Sequence, residues 1–154
     1  MIANAEYAVN KNIANITANL VLVSAQGVPE IWPKVHRLVT DACEYSSGMC
    51  STRDVFDNLM AREWELWLSM LFGDVVACGV THMFKTHRSK AMVLKILAGS
   101  HWREHFERMQ DVARRQGCER FMAECARPGW EREMPKLGFR KAYTVWELEI
   151  DGRR

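Results

Sequence analysis

The chain has 154 residues, 48% of them hydrophobic, which suffices for one domain with a substantial core. Its 21 basic and 19 acidic residues give a formal net charge of +2. This balance argues against a general nucleic-acid binder, since such proteins carry a basic stripe. No apolar run approaches the roughly 18–20 residues of a membrane span, and residues 1–19 lack the apolar block of a secretion signal, so we expect a cytoplasmic protein.

The first 19 residues differ in composition from the rest of the chain. They contain five Asn and five Ala and hardly any large apolar side chains. Such a segment can bury little surface on its own. We therefore predict an extended N-terminal arm over residues 1–19, held by contacts with another protein chain.

From Leu20 onward, apolar patterning predicts alternating strands and helices. Gly73-Asp74 lies between two apolar runs and predicts a hairpin. Ser51 or Thr52 would cap the second helix, and Gly117 would end the third. In chain order the predicted elements are strand 20–25, helices 30–46 and 51–63, two strands within 64–84, strand 90–99, helix 100–117, strand 119–126, helix 129–139 and strand 140–150.

Two short motifs mark the second half of the chain: Ala113-x-x-x-Gly117 at the end of the long helix, and Leu137-Gly138-Phe139 before the last strand. With these motifs and this order of elements, residues 20–150 resemble the GNAT superfamily of N-acetyltransferases, and more closely the short GNAT-like proteins of tailed phages and prophages. The resemblance implies an α/β fold with a central mixed sheet flanked by helices. It also implies one GNAT-like domain over residues 20–154, after the arm of residues 1–19.

The resemblance implies an acetyl-CoA site between the fourth strand and the long helix. The family pattern there is Arg/Gln-x-x-Gly-x-Gly/Ala, whose backbone amides hold a pyrophosphate at a helix N-terminus. This chain has one glycine in a short connection, and Trp102 would crowd the approach of a ligand to the backbone. A residual phosphate site would use Gly99, Ser100, His101 and Arg103. The alternative is that Ser100 only caps the helix.

The family's proton donor to the departing thiolate is a tyrosine that follows an asparagine. By position from Gly138, the tyrosine is replaced by Met134 and the asparagine by Arg127. Methionine cannot donate a proton, and Pro135 should shorten this helix. Protonation of the leaving group would fall to Tyr143, a thiol or water.

Two residues could act as a general base. Glu124 lies on the strand that borders the cleft in such folds, where a carboxylate can accept a proton through water. The structural alternative is that Glu124 pairs with Arg120 or Arg127. His82, in the predicted strand before residue 85, is the second candidate, and its alternative is a packed or hydrogen-bonded histidine.

Metal binding is not expected. Residues 101–105 fit the H-x-x-E-H zinc signature, and His101 and His105 would share one side of a helix, but the motif lies in the first turns and lacks a third ligand. The five cysteines are an odd number without a C-x-x-C pair, which indicates free thiols.

Two hypotheses on function follow from these features. The first is a non-catalytic structural or binding component, such as a bacteriophage virion or assembly protein. It would bind phage structural proteins through its arm and exposed tryptophans, in the host cytoplasm or in the virion. This hypothesis expects no cofactor and no binding to membranes or nucleic acid. The alternative is an acetyl-CoA-dependent N-acetyltransferase that acts on a primary amine.

Overall fold

The computed structural model describes residues 18–124, 127–148 and 150. In this part of the chain, five strands form one sheet in the order β1-β2-β3-β4-β5, antiparallel except for the parallel pair of β4 and β5. The strands are β1 Asn19–Val23, β2 Trp64–Leu71, β3 Asp74–Lys85, β4 Lys90–Gly99 and β5 Arg120–Ala123. The helices are α1 Val28–Cys43, α2 Thr52–Met60, α3 Phe106–Arg115 and α4 Trp130–Glu133, with 3₁₀ turns at 25–27, 103–105 and 134–137.

The sheet separates two hydrophobic cores, because successive strand residues point to opposite faces. On one face, α1 and α2 pack through Val35, Val39 and Leu59 against Leu66 and Leu68 of β2. On the other face, α3 packs against β2 and β4, and this second core contains Trp67, Met92, Leu94, Phe106, Met109, Ala113 and Met134. The predicted mixed α/β fold, a central sheet flanked by helices, is confirmed.

Local sequence signals account for most element ends. Ser51 caps α2, accepting a hydrogen bond from the amide of Asp54, whose carboxylate accepts one from the Ser51 amide in return. Gly117, at φ 76°, follows α3 as predicted. The hairpin of β2 and β3 turns through Phe72 and Gly73, one residue earlier than predicted, because both have the positive φ that a two-residue turn of this kind requires.

Several boundaries differ from the prediction, and three element starts differ most clearly. Helix α1 begins at Val28 rather than after Pro29, because a proline is tolerated in the first turn, where no intrahelical amide bond is lost. Strand β1 begins at Asn19, inside the predicted arm, and residues 1–17 lie outside the described residues. The long helix begins only at residue 103, as a 3₁₀ turn.

The predicted last strand is the largest difference. Residues 140–148 and 150 are described but pair with no strand in the described part of the chain, and all of them are exposed. The sequence has the composition of a strand, yet a strand requires a partner, and the sheet ends at β5. None of the helices described is long and apolar enough to cross a membrane.

Candidate active site

Strands β4 and β5 separate at Leu94. Their parallel pairing runs from Ala91 opposite Arg120 to Leu94 opposite Ala123, and it ends with a 3.0 Å hydrogen bond from the Glu124 amide to the Leu94 carbonyl. At this point β4 contains a bulge: Val80 pairs with Ile96 and Thr81 with Leu94, which leaves Lys95 as the extra residue. A bulge bends the strand that contains it. Past Leu94, β4 continues to Gly99 with no strand paired to this edge among the described residues.

An open groove occupies the space between the separating strands. Its floor is formed by residues 94–97 of β4 and by Ala123, and its sides by α4 and the chain after α1. The polar groups that line it are Cys43, Tyr45, Ser46, Cys50, Lys95, Glu124 and Arg127. The bulge and the end of β5 therefore create a cleft that brings together residues far apart in sequence.

Glu124 lies in this groove and forms an ion pair with Lys95, with 2.5 Å between Oε2 and Nζ. The predicted pairing with Arg120 or Arg127 is wrong, since the bulge directs the Lys95 side chain to this carboxylate instead. The Lys95 ammonium also lies 5.8 Å from the ring centroid of Trp64. Half of the Glu124 side chain stays exposed, so one partner fixes its position and leaves it accessible to a ligand.

Two thiols and a phenol also line this groove: Cys43 at the end of α1, and Tyr45 and Cys50 in the chain after it. Burial raises the pKa of Cys43, and burial together with the nearby Cys43 raises the pKa of Cys50 to about 12. Both thiols are therefore protonated at neutral pH and poor nucleophiles. Tyr45 is partly exposed, and the Arg127 guanidinium lies 4.7 Å from its ring centroid. Lys95 and Tyr45 were not predicted, because only the bulge and the fold of the chain after α1 place them here.

The connection from β4 to α3 is held by the sheet. Gly99 has a φ of 95°, and a Cβ built on it would lie 2.3 Å from the Val76 carbonyl oxygen and 2.6 Å from the Ala77 Cα. The Ser100 amide donates a 3.0 Å hydrogen bond to the same Val76 carbonyl. The close approach of β3 thus accounts for the glycine, and the Ser100 amide is already engaged. Ser100 does not cap the helix, whose first turn follows Trp102 and has no side-chain cap.

Of the two remaining predicted phosphate ligands, one faces solvent and the other pairs with a carboxylate. His101 is exposed, at φ 56°, and Arg103 forms an ion pair with Glu133 of α4. Trp102 does not crowd the connection, because its ring packs on Trp130, with 4.7 Å between centroids. The amides of residues 101–104 have no carbonyl partner among the described residues.

The histidines of the zinc-like motif do not share a helix side, since His101 precedes the helix. His105 is buried, and its Nε2 lies 2.8 Å from Ser69 Oγ. Burial lowers the pKa of His105, which favours the neutral ring. No group of three or more potential metal-ligating side chains occurs in residues 18–124 and 127–148. His82 lies outside the groove, with Nδ1 3.4 Å from the Glu63 carbonyl oxygen.

Met134, at the family's tyrosine position, and Tyr143, the predicted alternative proton donor, have different environments. Met134 is buried in the second core and lines the groove, so a thioether occupies the place where the resemblance implies a tyrosine. Tyr143 lies in the unpaired C-terminal segment, 62% exposed, and is not among the residues that line the groove. The structure thus brings Glu124 to the cleft without Tyr143.

Several of the solved structures that share this fold are named as acetyltransferases. A probable acetyltransferase matches 88% of this chain and 99% of its own, at TM-score 0.65 and 12% identity. An aminoglycoside acetyltransferase from an uncultured soil metagenomic sample, in complex with sisomicin, matches 87% and 97%, at TM-score 0.65 and 7% identity. A predicted acetyltransferase from Clostridium acetobutylicum, with acetyl-CoA, matches 86% and 96%, at TM-score 0.60 and 10% identity.

At these identities the likeness shows the fold alone, and it confirms the predicted GNAT fold. No protein-family model and no curated protein matches the chain. The groove is therefore the feature from which a function can be inferred.

Proposed function

We propose that this chain is an acetyl-CoA-dependent N-acetyltransferase that acts on a primary amine in the groove between β4 and β5. The supporting observation is the bulge at Lys95, which opens the sheet where pairing with β5 ends and places Glu124 at the opening. Solved structures of this fold include an acetyltransferase with acetyl-CoA and one with an aminoglycoside. Of the two hypotheses drawn from the sequence, these neighbours favour the enzyme.

The groove residues suit the acyl end of this cofactor. Acetyl-CoA, when bound, supplies the acetyl group as a thioester. Beyond Leu94, β4 pairs only with β3 among the described residues, so its other edge can hydrogen-bond a ligand. The loop after Gly99 adds the amides of Arg103 and Glu104. Most of the binding surface would therefore come from the strand edge.

Three polar side chains of the groove have a role in this proposal. Glu124 accepts the proton that the ammonium group of the substrate must lose before its nitrogen bonds to the acetyl carbon. Lys95 holds the carboxylate in position through their ion pair. As the carbon–sulfur bond breaks, the sulfur must gain a proton, and the Tyr45 hydroxyl is a donor on the same groove. Tyr45 would replace the tyrosine that Met134 displaces.

The test combines calorimetric titration with acetyl-CoA and an assay of thiol release with amine substrates. The substrates are an aminoglycoside, an aliphatic diamine and a peptide with a free N-terminus. Glu124→Gln should retain cofactor binding and lower kcat/KM by roughly 10²–10⁴-fold, the usual contribution of a general base. Glu119→Gln is the matched control, because Glu119 is also exposed beside β5 but lies outside the groove. Tyr45→Phe should lower kcat.

The proposal fails if millimolar acetyl-CoA produces no binding heat and no amine is acetylated. It also fails if Glu124→Gln and Glu119→Gln have equal activities. The other hypothesis, a non-catalytic component of a tailed-phage particle, would then regain priority. One observation favours protein contacts of that kind: of the six tryptophans, Trp146 is 90% exposed.

A further inference from the structure

The charged groups that line the groove do not balance. Two are cations, Lys95 and Arg127, and one is an anion, Glu124. Because Lys95 and Glu124 form an ion pair with each other, their charges largely cancel. Arg127 forms no ion pair with a carboxylate in the described part of the chain. The groove therefore keeps a positive charge, and that charge lies on Arg127.

Contacts of both its backbone and its side chain hold Arg127 at the groove. The Trp130 amide donates a 3.3 Å hydrogen bond to the Arg127 carbonyl, at the turn that leads into α4. The guanidinium lies 4.7 Å from the ring centroid of Tyr45, on the opposite side of the groove. The attraction between a cation and an aromatic ring takes up none of the N–H donors of the guanidinium. Arg127 is thus positioned, and its donors remain available to a ligand.

A carboxylate is the anion that best fits a single arginine. The guanidinium is planar, and its N–H groups match the oxygens of a carboxylate, to which they donate parallel hydrogen bonds. A phosphate carries up to about two negative charges and would require a second cation, but Lys95 is already engaged by Glu124. A second ammonium group on the substrate, as in a diamine or an aminoglycoside, would meet a like charge at Arg127, which disfavours binding.

On the basis of the acetyltransferase function proposed above, we propose that the amine substrate is an amino acid whose carboxylate binds Arg127. Its amino group then lies at Glu124, three residues earlier in the chain. Glu124 accepts a proton from the amino group, the nitrogen bonds to the acetyl carbon, and the carbon–sulfur bond breaks as the sulfur gains a proton from Tyr45. Arg127 takes no part in these proton transfers. It determines which amine the groove holds.

The test compares amino acids with their own amides, in which a neutral group of similar size replaces the carboxylate. Thiol release at saturating acetyl-CoA gives kcat and KM for the wild type, Arg127→Gln and Arg127→Lys. Arg127→Gln should lower kcat/KM for the acid about 10–100-fold, through a higher KM, because it removes hydrogen bonds between charged groups. The decrease for the amide should be much smaller. Arg127→Lys should give an intermediate loss, since it keeps the charge without the planar donors.

The ratio of kcat/KM for acid and amide is the decisive quantity, because the different basicities of the two amines cancel between variants. Arg120→Gln is the matched control and should leave this ratio unchanged, since Arg120 is an exposed arginine of β5 outside the groove. Equal losses for acid and amide in Arg127→Gln would show that Arg127 only positions Tyr45. A loss of acetyl-CoA affinity in calorimetric titration would assign Arg127 to the cofactor. Either result overturns the inference while the acetyltransferase function stands.

Two further outcomes separate the substrate class from the function itself. Faster acetylation of a diamine, an aminoglycoside or a phosphorylated amine than of every amino acid tested overturns the inference and leaves the enzyme intact. If no amine is acetylated, the amino acids are titrated into the protein in the presence of coenzyme A, which carries no acetyl group. Binding that Arg127→Gln abolishes and Arg120→Gln retains would support a carboxylate site without the reaction. Absence of such binding overturns the inference together with the proposed function.

Discussion

Gly99→Ala tests why a glycine stands at the end of β4. The new Cβ would lie 2.3 Å from the Val76 carbonyl oxygen and 2.6 Å from the Ala77 Cα, distances that require the backbone of β3 or β4 to move. Overpacking of this kind costs about 1–3 kcal/mol, and the positive φ adds about 1–2 kcal/mol for a residue with a Cβ. We expect Gly99→Ala to lower the free energy of unfolding by about 2–5 kcal/mol.

Urea denaturation at neutral pH measures this loss. With a slope of about 2 kcal/mol/M, a loss of about 4 kcal/mol lowers the midpoint by about 2 M. Gly73→Ala is the control, because Gly73 has a φ of 88° but nothing within 4 Å of an added Cβ, so only the backbone term applies. Equal losses for the two variants would refute the packing argument. A variant at Gly99 that is fully stable but no longer binds acetyl-CoA would assign the glycine to the cofactor instead.

Three further predictions follow from single contacts. Thr81→Val should lower the free energy of unfolding, measured by urea titration, by about 1–3 kcal/mol. The buried Trp67 indole N–H donates a 2.8 Å hydrogen bond to the Thr81 hydroxyl and would lose its acceptor. An unchanged free energy of unfolding would show that the indole finds another partner. Ser51→Ala should lower the free energy of unfolding by about 1 kcal/mol through loss of the α2 cap. Thermal unfolding measures this loss beside the control Ser100→Ala, since the Ser100 hydroxyl is exposed and caps no helix. Burial lowers the pKa of His105, so the contribution of its neutral ring to the free energy of unfolding should be fully present above the unfolded pKa of about 6.5 and decrease as the pH drops below it. His105→Gln should flatten this pH dependence, and equal pH profiles for the variant and the wild type would contradict the prediction.

Local signals in the sequence were sufficient for most of the fold. The apolar run of β4 was predicted at its observed limits, 90–99, because a buried strand needs continuous apolar residues. Gly117 ended α3 and Ser51 capped α2, since a positive φ and an unpaired helical amide each select few residue types. Leu137-Gly138-Phe139 was also informative: Gly138, at φ 86°, ends the 3₁₀ turn, and Phe139 enters the second core.

The candidate site was less predictable, because it depends on long-range pairing. Glu124 was identified from its strand, but its partner was not, since the bulge that turns Lys95 toward it arises from the register of β3 against β4. Tyr45 carries no motif and reaches the groove only through the fold of the chain after α1. The predicted strand at 140–150 had the right residue types, but composition cannot specify the chain with which a strand pairs.

The unequal pairing of β4 has a consequence for how the chain folds. Strands β2, β3 and β4 are joined by short turns, so their ladders form from contacts near in sequence, which generally develop early. Strand β5 joins the sheet through the longer crossover that contains α3, and its ladder with β4 is brief. Strand β5 should therefore pair with β4 late in folding. The β5 amides at 120–123 should exchange with solvent sooner than those of β3. Any ligand that bridges β4 and β5 would slow that exchange, which makes hydrogen exchange a direct reporter of occupancy.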